Sequence, residues 1–244
     1  MIHAILLAGG SGNRMQTETP KQLMELNGKK VVCWSLEVFE KSRLIDDIIL
    51  VTRKEDIPFF RSEIVDRYGY RKVRRICPGG ERRVDSVENG LNTINEDEDE
   101  ERIVLIHDSA RPFVTERMIE DSVNCIRDGF KACTVGVPVK DTIKKVTESG
   151  GHVIGTDTPE RSKLYIIQTP QTFSLNTIKK AYKRLEAVDE QTRSKVTDDT
   201  MVVEQYAGVT SVIIPGAYTN IKLTTPEDMV VAGAFAASDN HLVF

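Results

Sequence analysis

The chain has 244 residues, a formal net charge of −4 at pH 7 and four scattered cysteines without a C-x-x-C pair. These features suit one domain over residues 1–244 and disfavour a disulfide framework, a zinc site and nucleic-acid binding by general electrostatic attraction. No secretory signal precedes the first strand and no apolar run approaches the roughly 20 residues of a membrane span, so we expect a cytoplasmic protein.

Short apolar runs rich in β-branched residues alternate with helical patterns as far as Val139. The apolar runs predict strands at residues 2–7, 48–52, 73–77, 102–107 and 133–139. Apolar residues at helical spacing predict helices at residues 31–41, 57–69, 84–94 and 116–129. This alternation is typical of right-handed βαβ crossovers. We therefore predict an α/β fold, with a mainly parallel, twisted sheet and helices on both of its faces.

After Val139 the sequence becomes polar and alternating, with Gly150 and Gly151 adjacent in its middle. This pattern predicts a β-hairpin arm that projects from the sheet at about residues 140–167. Near the C-terminal end, Thr225 is suited to cap a helix that has Pro226 at its first position.

The stretch LLAGGSGNRM, residues 6–15, ends a predicted strand in a glycine-rich loop that can wrap an anion with backbone N–H groups. A dinucleotide fingerprint needs a glycine where Met15 stands and an acidic residue near Thr52. A P-loop needs Gly-Lys-Ser/Thr at its end, and this chain has Asn-Arg-Met. What remains is a glycine loop followed by two cations, Arg14 and Lys21, which indicates a nucleoside triphosphate held for nucleotidyl transfer.

Seven sequence blocks, in order along nearly the whole chain, extend this interpretation. They are AGGSGNRM with PKQ (8–22), PGGERRVDSVENGL (78–91), HDSARPF (107–113), VPVKDTIK (137–144), QTPQTF (168–173), TDD (197–199) and NIKLTTPEDM (220–229). Together they resemble the methylerythritol-phosphate cytidylyltransferases. The resemblance implies a Rossmann-like nucleotidyltransferase fold and transfer of CMP from CTP to 2-C-methyl-D-erythritol 4-phosphate, with release of pyrophosphate, in isoprenoid synthesis.

The resemblance also implies roles at matching positions. Arg14, Lys21 and Lys222 would be the catalytic cations, of which Lys21 stabilises the pentavalent α-phosphorus. The residues expected around the CTP nucleotide are Ala8, Gly9, Gly10, Gly12, Gly80, Glu81, Ser86 and Ser109. Those expected around the acceptor polyol phosphate are Asp108, Arg111, Thr142, Arg161 and Thr169. In the family the arm crosses a dimer axis, so the resemblance implies a homodimer in which Thr142 and Arg161 reach the neighbouring subunit.

Mg²⁺ is the expected cofactor, and two physical arguments that do not depend on the resemblance also favour Asp108 as its ligand. Mg²⁺ prefers carboxylate oxygens together with substrate phosphates, and the carboxyl ends of parallel strands are where open α/β sheets bind ligands. The alternative to a metal ligand is a purely structural role for Asp108, as an aspartate that caps a helix. The neighbouring His107 is expected to be structural, because an acceptor phosphate with a second pKa near ~6 is already an anionic nucleophile and needs no general base.

Several alternatives stay open at the level of sequence. Gly9 and Ser109 stand where many methylerythritol-phosphate enzymes have alanine, and both features occur in ribitol-phosphate cytidylyltransferases. VPVKDTIK, NIKLTTPED and the short Arg14–Pro20 spacing favour methylerythritol phosphate. An oxidoreductase and a catalytically silent scaffold are the rivals outside this class. Asp198 and Asp199 have no assigned role beyond capping the helix that follows. The basic residues within 70–75 and 81–83 are expected at a solvated or anion-facing edge.

Overall fold

The computed structural model describes residues 1–10, 20–95 and 102–238. Eleven strands lie in these ranges: β1 (Ile2–Leu7), β2 (Glu25–Leu26), β3 (Lys29–Lys30), β4 (Asp47–Thr52), β5 (Val73–Pro78), β6 (Ile103–Asp108), β7 (Ala132–Pro138), β8 (Lys145–Ser149), β9 (His152–Asp157), β10 (Tyr165–Ser174) and β11 (Val212–Pro215). The α-helices of the same ranges are α1 (Val31–Lys41), α2 (Ile57–Phe59), α3 (Arg83–Asn92), α4 (Glu116–Arg127), α5 (Leu175–Leu185), α6 (Glu190–Arg193), α7 (Asp199–Ala207) and α8 (Pro226–Ala237). A π-helix, Phe60–Asp66, continues α2.

Seven strands form the central sheet in the order β11-β7-β10-β6-β1-β4-β5. Strands β1, β4, β5 and β6 pair in parallel, and β11 is parallel to β7. Strand β10 runs antiparallel to both of its neighbours. The predicted α/β fold with a mainly parallel sheet is confirmed.

Apolar side chains cover both faces of the sheet, as the unbroken apolar runs predict. On β4, Ile48 and Leu50 belong to one core cluster together with buried residues of α1, the π-helix and α4, whereas Ile49 and Val51 belong to another together with buried residues of α3, α5 and α7. Successive residues of a strand point to opposite faces, so one buried strand supplies two layers of the core. None of the helices in the described ranges combines the length and apolarity that crossing a membrane needs.

The predicted arm contains the hairpin β8–β9, whose turn is made by Gly150 and Gly151 at positive φ. Residues 165–167, which the sequence pattern assigns to the arm, instead pair with β7 in the central sheet. The predicted closing helix is α8, and Thr225 and Asp228 form its capping box.

Candidate active site

Two cavities open side by side at the carboxyl ends of the parallel strands, and both are lined by Arg83, Asp108 and Lys222. The first, of about 380 Å³, is lined by Leu7, Gly9, Gly10, Lys21, Gln22, Arg53, Gly80, Glu81, Arg82, Arg83, Ser86, Asp108, Ala110 and Lys222. The second, of about 460 Å³, is lined by Arg83, Asp108, Arg111, Thr134, Ile167, Gln168, Thr169, Gln171, Thr197, Asp198, Thr200, Glu204, Ser211, Ile213 and Lys222. The chain runs from β1 to β4 and β5 on one side and returns to β6 on the other. Open α/β sheets bind ligands at such a switch point.

Two glycine-containing loops line part of the first cavity. Gly9 and Gly10 follow β1, and the short 3-10 helix Lys21–Leu23 places Lys21 beside them, with its Cε atom 3.8 Å from where a Cβ atom on Gly10 would lie. Of the other predicted residues of this loop, Ala8 is buried and its N–H donates to Val51 O at 2.7 Å. Gly12 and Arg14 lie outside the described residues.

The loop after β5 is held close to helix α3. Gly80 N–H donates to Ser86 Oγ at 3.1 Å, and the Ser86 hydroxyl donates to Arg82 O at 3.1 Å. A side chain at Gly80 would lie 2.3 Å from the Asp85 Cβ atom, so only glycine fits this close approach. Gly80, Glu81 and Ser86 all line the first cavity, with the Ser86 hydroxyl engaged within the loop.

Asp108, the last residue of β6, lies where the two cavities meet. Its Oδ1 accepts a hydrogen bond from Arg83 Nε at 2.9 Å, and its Oδ2 accepts one from Lys222 Nζ at 2.6 Å. Burial alone would raise the pKa of this carboxyl, but the two cations outweigh burial and hold the pKa far below its ordinary value. Asp108 is therefore a carboxylate under all ordinary conditions, and it fixes two cations at the junction.

Arg83 bridges two carboxylates. Besides its bond to Asp108, its Nη2 donates to Asp199 Oδ2 at 2.7 Å. Burial works to lower the pKa of Arg83, but the two carboxylates raise it well above its ordinary value. Its Nη1 makes no hydrogen bond to any residue that the structure describes. That edge of the guanidinium stays available to a ligand.

His107 and Thr169 support the backbone of Asp108. The Asp108 N–H donates to Thr169 Oγ1 at 3.1 Å, and this hydroxyl lies 2.9 Å from His107 Nδ1. His107 Nε2 lies 3.1 Å from Arg111 O, which can only accept, so Nε2 carries the proton and the Thr169 hydroxyl donates to Nδ1. Complete burial lowers the pKa of His107 to about 4, so the imidazole is neutral near pH 7. These contacts agree with the structural role expected for His107.

Comparison with known proteins extends this geometry. The family model described as 2-C-methyl-D-erythritol 4-phosphate cytidylyltransferase matches residues 2–238. The curated enzyme of that name from Lachnospira eligens is 46% identical over 235 residues, covering 96% of this chain and 99% of the relative. The one from Clostridium perfringens is 44% identical over 234 residues, covering 96% and 98%.

The chain belongs to the 2-C-methyl-D-erythritol 4-phosphate cytidylyltransferase family.

Solved structures agree with this assignment. The 4-diphosphocytidyl-2C-methyl-D-erythritol synthase from Anaerococcus prevotii superposes with a TM-score of 0.80 at 34% identity, covering 96% of this chain and 95% of that one. The 2-C-methyl-D-erythritol 4-phosphate cytidylyltransferase from Francisella tularensis gives 0.78 at 29% identity, covering 96% and 98%. The family resemblance is confirmed, and the ribitol-phosphate alternative is not favoured.

The remaining predicted site residues of this cytidylyltransferase family member lie in three different places: the second cavity, the buried core and the exposed arm. Arg111 lines the second cavity, and its guanidinium donates to Asn220 O at 2.8 Å and to Ile167 O at 3.3 Å. Burial lowers the pKa of Arg111 from its ordinary value. Ser109 is completely buried and lines neither cavity in the described ranges. Thr142 and Arg161 are exposed on the arm, Arg161 Nη1 donating to Lys140 O at 2.9 Å, and neither lines the first or the second cavity as formed by the described residues.

The two aspartates of the TDD block have different roles. Asp198 caps α7, its Oδ1 accepting from Met201 N–H at 3.0 Å, so the capping interpretation is confirmed for this residue. Asp199 is fully buried and binds Arg83. Sequence reasoning misses Arg83, because its basic cluster is typical of a solvated edge. A signal is nevertheless present: Arg83 lies within the PGGERRVDS block and directly opens helix α3.

Proposed function

We propose that the chain transfers the cytidylyl group of CTP to the phosphate of 2-C-methyl-D-erythritol 4-phosphate and releases pyrophosphate. The observation that carries this proposal is the meeting of two cavities at Arg83, Asp108 and Lys222. Two phosphorylated substrates bound on either side of these residues would bring their reacting phosphates together between fixed cations. Such positioning is the main contribution of proteins to phosphoryl-type transfer.

CTP is assigned to the first cavity. The N–H groups of Gly9 and Gly10 and the ammonium of Lys21 suit the triphosphate. The loop after β5, with Gly80, Glu81 and Ser86, lies two strands away from β1 and suits the cytosine and ribose. Arg14 is assigned to the triphosphate on the family pattern alone.

The acceptor is assigned to the second cavity, with its phosphate at the junction. One acceptor phosphate oxygen attacks the α-phosphorus of CTP, and the bond from that phosphorus to the bridging oxygen breaks. The electron pair leaves with pyrophosphate. The acceptor phosphate loses its second proton near pH ~6 and is then an anion, so no side chain has to remove a proton. Lys222 and the free edge of Arg83 would stabilise the charge that builds up on the phosphoryl oxygens.

Mg²⁺ is assigned as the metal that accompanies CTP. No group of three His, Cys, Asp or Glu side chains suited to a metal occurs within the described part of the chain. Mg²⁺ often takes one or two carboxylates and fills its other positions with substrate phosphates and water, so Asp108 alone fits as its protein ligand. Each Asp108 oxygen accepts one hydrogen bond from a cation and keeps a second lone pair with which it could bind the ion. Bound there, it would neutralise phosphate charge.

A homodimer is proposed because the arm exposes apolar side chains together with its predicted acceptor contacts. Val153 is 69% exposed and Val146 56%, on a hairpin whose two strands pair only with each other among the described residues. A second copy that covered this surface could receive Thr142 and Arg161 at its second cavity. We also propose a cytoplasmic location, since four buried free thiols suit a reducing compartment.

Pyrophosphate release tests the reaction. The chain is given CTP and Mg²⁺ with either 2-C-methyl-D-erythritol 4-phosphate or ribitol 5-phosphate, and each nucleoside triphosphate is then tried in place of CTP. We expect turnover with the first acceptor and a strong preference for CTP. Turnover with ribitol 5-phosphate alone, or no turnover with either acceptor, would contradict the proposed function.

A further inference from the structure

A chain of buried and partly buried hydrogen bonds runs from helix α5 to the junction of the two cavities. Tyr182 Oη donates to Asp199 Oδ1 at 2.7 Å, and Arg83 Nη2 donates to Asp199 Oδ2 at 2.7 Å. Arg83 Nε then donates to Asp108 Oδ1 at 2.9 Å. Tyr182 is 3% exposed and Asp199 is completely buried. Three hydrogen bonds thus link a tyrosine in the core to the carboxylate at the site.

Asp199 lines neither cavity in the part of the chain that the structure describes, so in this arrangement it acts on a ligand through Arg83. An arginine and a single carboxylate commonly pair through two parallel N–H···O bonds. Arg83 instead divides its donors, giving Nε to Asp108 and Nη2 to Asp199. This division leaves Oδ2 of Asp108 to Lys222 and leaves Nη1 of Arg83 without a partner among the described residues.

Asp199 is itself fixed from several directions. Its N–H donates to Gln171 Oε1 at 2.9 Å, and Gln171 Nε2 donates to Asp198 Oδ2 at 2.8 Å. Both oxygens of the Asp199 carboxylate are engaged, one by the Tyr182 hydroxyl and one by Arg83. A carboxylate held in this way can fix the plane of the guanidinium fork.

We propose that Asp199, oriented by the Tyr182 hydroxyl, is a positioning residue for cytidylyl transfer. It holds Arg83 at the junction so that one edge of the guanidinium faces the reacting phosphates while Lys222 keeps its own contact with Asp108. This inference rests on the proposed function, since the reacting phosphates are those of CTP and the acceptor. Without Asp199, the Arg83 fork would be free to pair with both Asp108 oxygens and compete with Lys222.

The first experiment measures kcat and KM of three variants by pyrophosphate release. Asp199→Asn keeps the shape of the side chain but removes its charge, and loss of such a charge-assisted buried contact is expected to lower kcat roughly tenfold or more. Tyr182→Phe should lower kcat by a smaller factor. Tyr70→Phe is the matched control, because Tyr70 is also buried and its hydroxyl donates at 3.5 Å to Cys33 O in helix α1. It should keep the wild-type kcat.

A double-mutant cycle separates positioning from a general structural role. If Asp199 acts through Arg83, Asp199→Asn should lower kcat little further in an Arg83→Lys background. All variants are assayed at a temperature where circular dichroism finds them fully folded. A kcat of Asp199→Asn equal to wild type, or losses that simply multiply in the double variant, would overturn the proposal.

The same series distinguishes failure of this inference from failure of the proposed function. Absence of turnover in the wild-type chain would contradict the proposed function. In that case the dissociation constant for CTP, measured by calorimetric titration, replaces kcat as the measure of whether Arg83 is held in position. We expect weaker CTP binding in Asp199→Asn than in wild type and Tyr70→Phe. Equal dissociation constants in all three would overturn the positioning role, whatever the reaction.

Discussion

The centre of the site and the projecting arm differ in how completely one chain builds them. At the centre, both oxygens of Asp108 are hydrogen-bonded to cations of the same chain, and His107 and Thr169 hold its backbone. On the arm, the strands β8 and β9 are exposed throughout. The charges at the junction are therefore preorganised by one chain. The arm, in contrast, exposes apolar side chains of the kind that a second protein surface would cover.

This difference separates two kinds of function. A preorganised polar centre stabilises charge without having to rearrange during the reaction. An exposed arm that carries predicted acceptor contacts can complete a site only when another subunit supplies the rest. Substitutions at the centre should therefore damage catalysis within each subunit, and substitutions on the arm should damage acceptor binding in the neighbouring subunit.

The largest effect is expected at the centre, from Lys21→Ala. This change removes a cation from the wall of the first cavity, and loss of such electrostatic stabilisation should lower kcat by roughly 10²–10³. The fold should survive, because Lys21 is only half-buried. Lys41→Ala is the matched control, since its side chain is 78% exposed and lines neither cavity among the described residues. Steady-state kinetics and thermal melting check both variants, and near-wild-type kcat in Lys21→Ala would contradict its assigned role.

A smaller effect with a distinctive pattern is expected from Arg161→Ala on the arm. Loss of a contact to the acceptor phosphate should raise the acceptor KM roughly tenfold, while the KM for CTP stays near wild type. Lys163→Ala is the control, as a neighbouring exposed cation paired with Glu160.

Mixing the two damaged variants tests whether the arm serves the neighbouring subunit. A dimer of one Lys21→Ala chain and one Arg161→Ala chain has one site with both residues intact if Arg161 crosses between subunits. At an acceptor concentration well below KM, where Arg161→Ala is impaired, co-refolded mixtures should then regain up to about a quarter of wild-type activity at random pairing. No gain over the separate variants would show that Arg161 does not complete the partner's site.

The sequence allows prediction of the parts of this molecule that local patterns determine. Buried strands are short β-branched runs, so the predicted bounds of β1, β4, β5, β6 and β7 agree with the observed ones to within about one residue. The glycine loop and Asp108 come at the ends of parallel strands, and this position in the sequence is enough to locate them at the carboxyl edge of the sheet. Local alternation does not identify a strand's partner, and this is why residues 165–167 are predicted in the arm and not in β10.

The Arg83–Asp199 contact cannot be predicted in this way. The two residues are 116 positions apart, and only the packing of α7 and α3 on the same face of the sheet brings them together. Tyr182 looks like an ordinary apolar position of the amphipathic helix α5. Its hydroxyl has a role only because the buried carboxylate of Asp199, on α7, accepts its hydrogen bond. The spacing of apolar residues within α5 carries no information about that carboxylate.

The smallest expected effect is on the pH dependence of stability, and it compares His107 at the centre of the site with His152 on the arm. The folded protein keeps His107 neutral down to a pKa of about 4, whereas the unfolded chain takes up this proton near pH ~6.5. Unfolding therefore binds a proton between these values, and the stability contributed by neutral His107 falls as the pH is lowered through this window. From pH 7 to pH 5 the expected loss is about 2 kcal/mol.

Urea unfolding of wild type and His107→Gln at these two pH values measures this contribution, since glutamine does not titrate. The variant should lose less stability between pH 7 and pH 5 than wild type does. The matched control is His152→Gln on the exposed arm, which should follow the wild-type curve. If His107→Gln does not fold, the NMR titration of the wild-type imidazole gives the same answer. Protonation of His107 in the folded protein near pH 6 would contradict a site centre held by a neutral, fully buried imidazole.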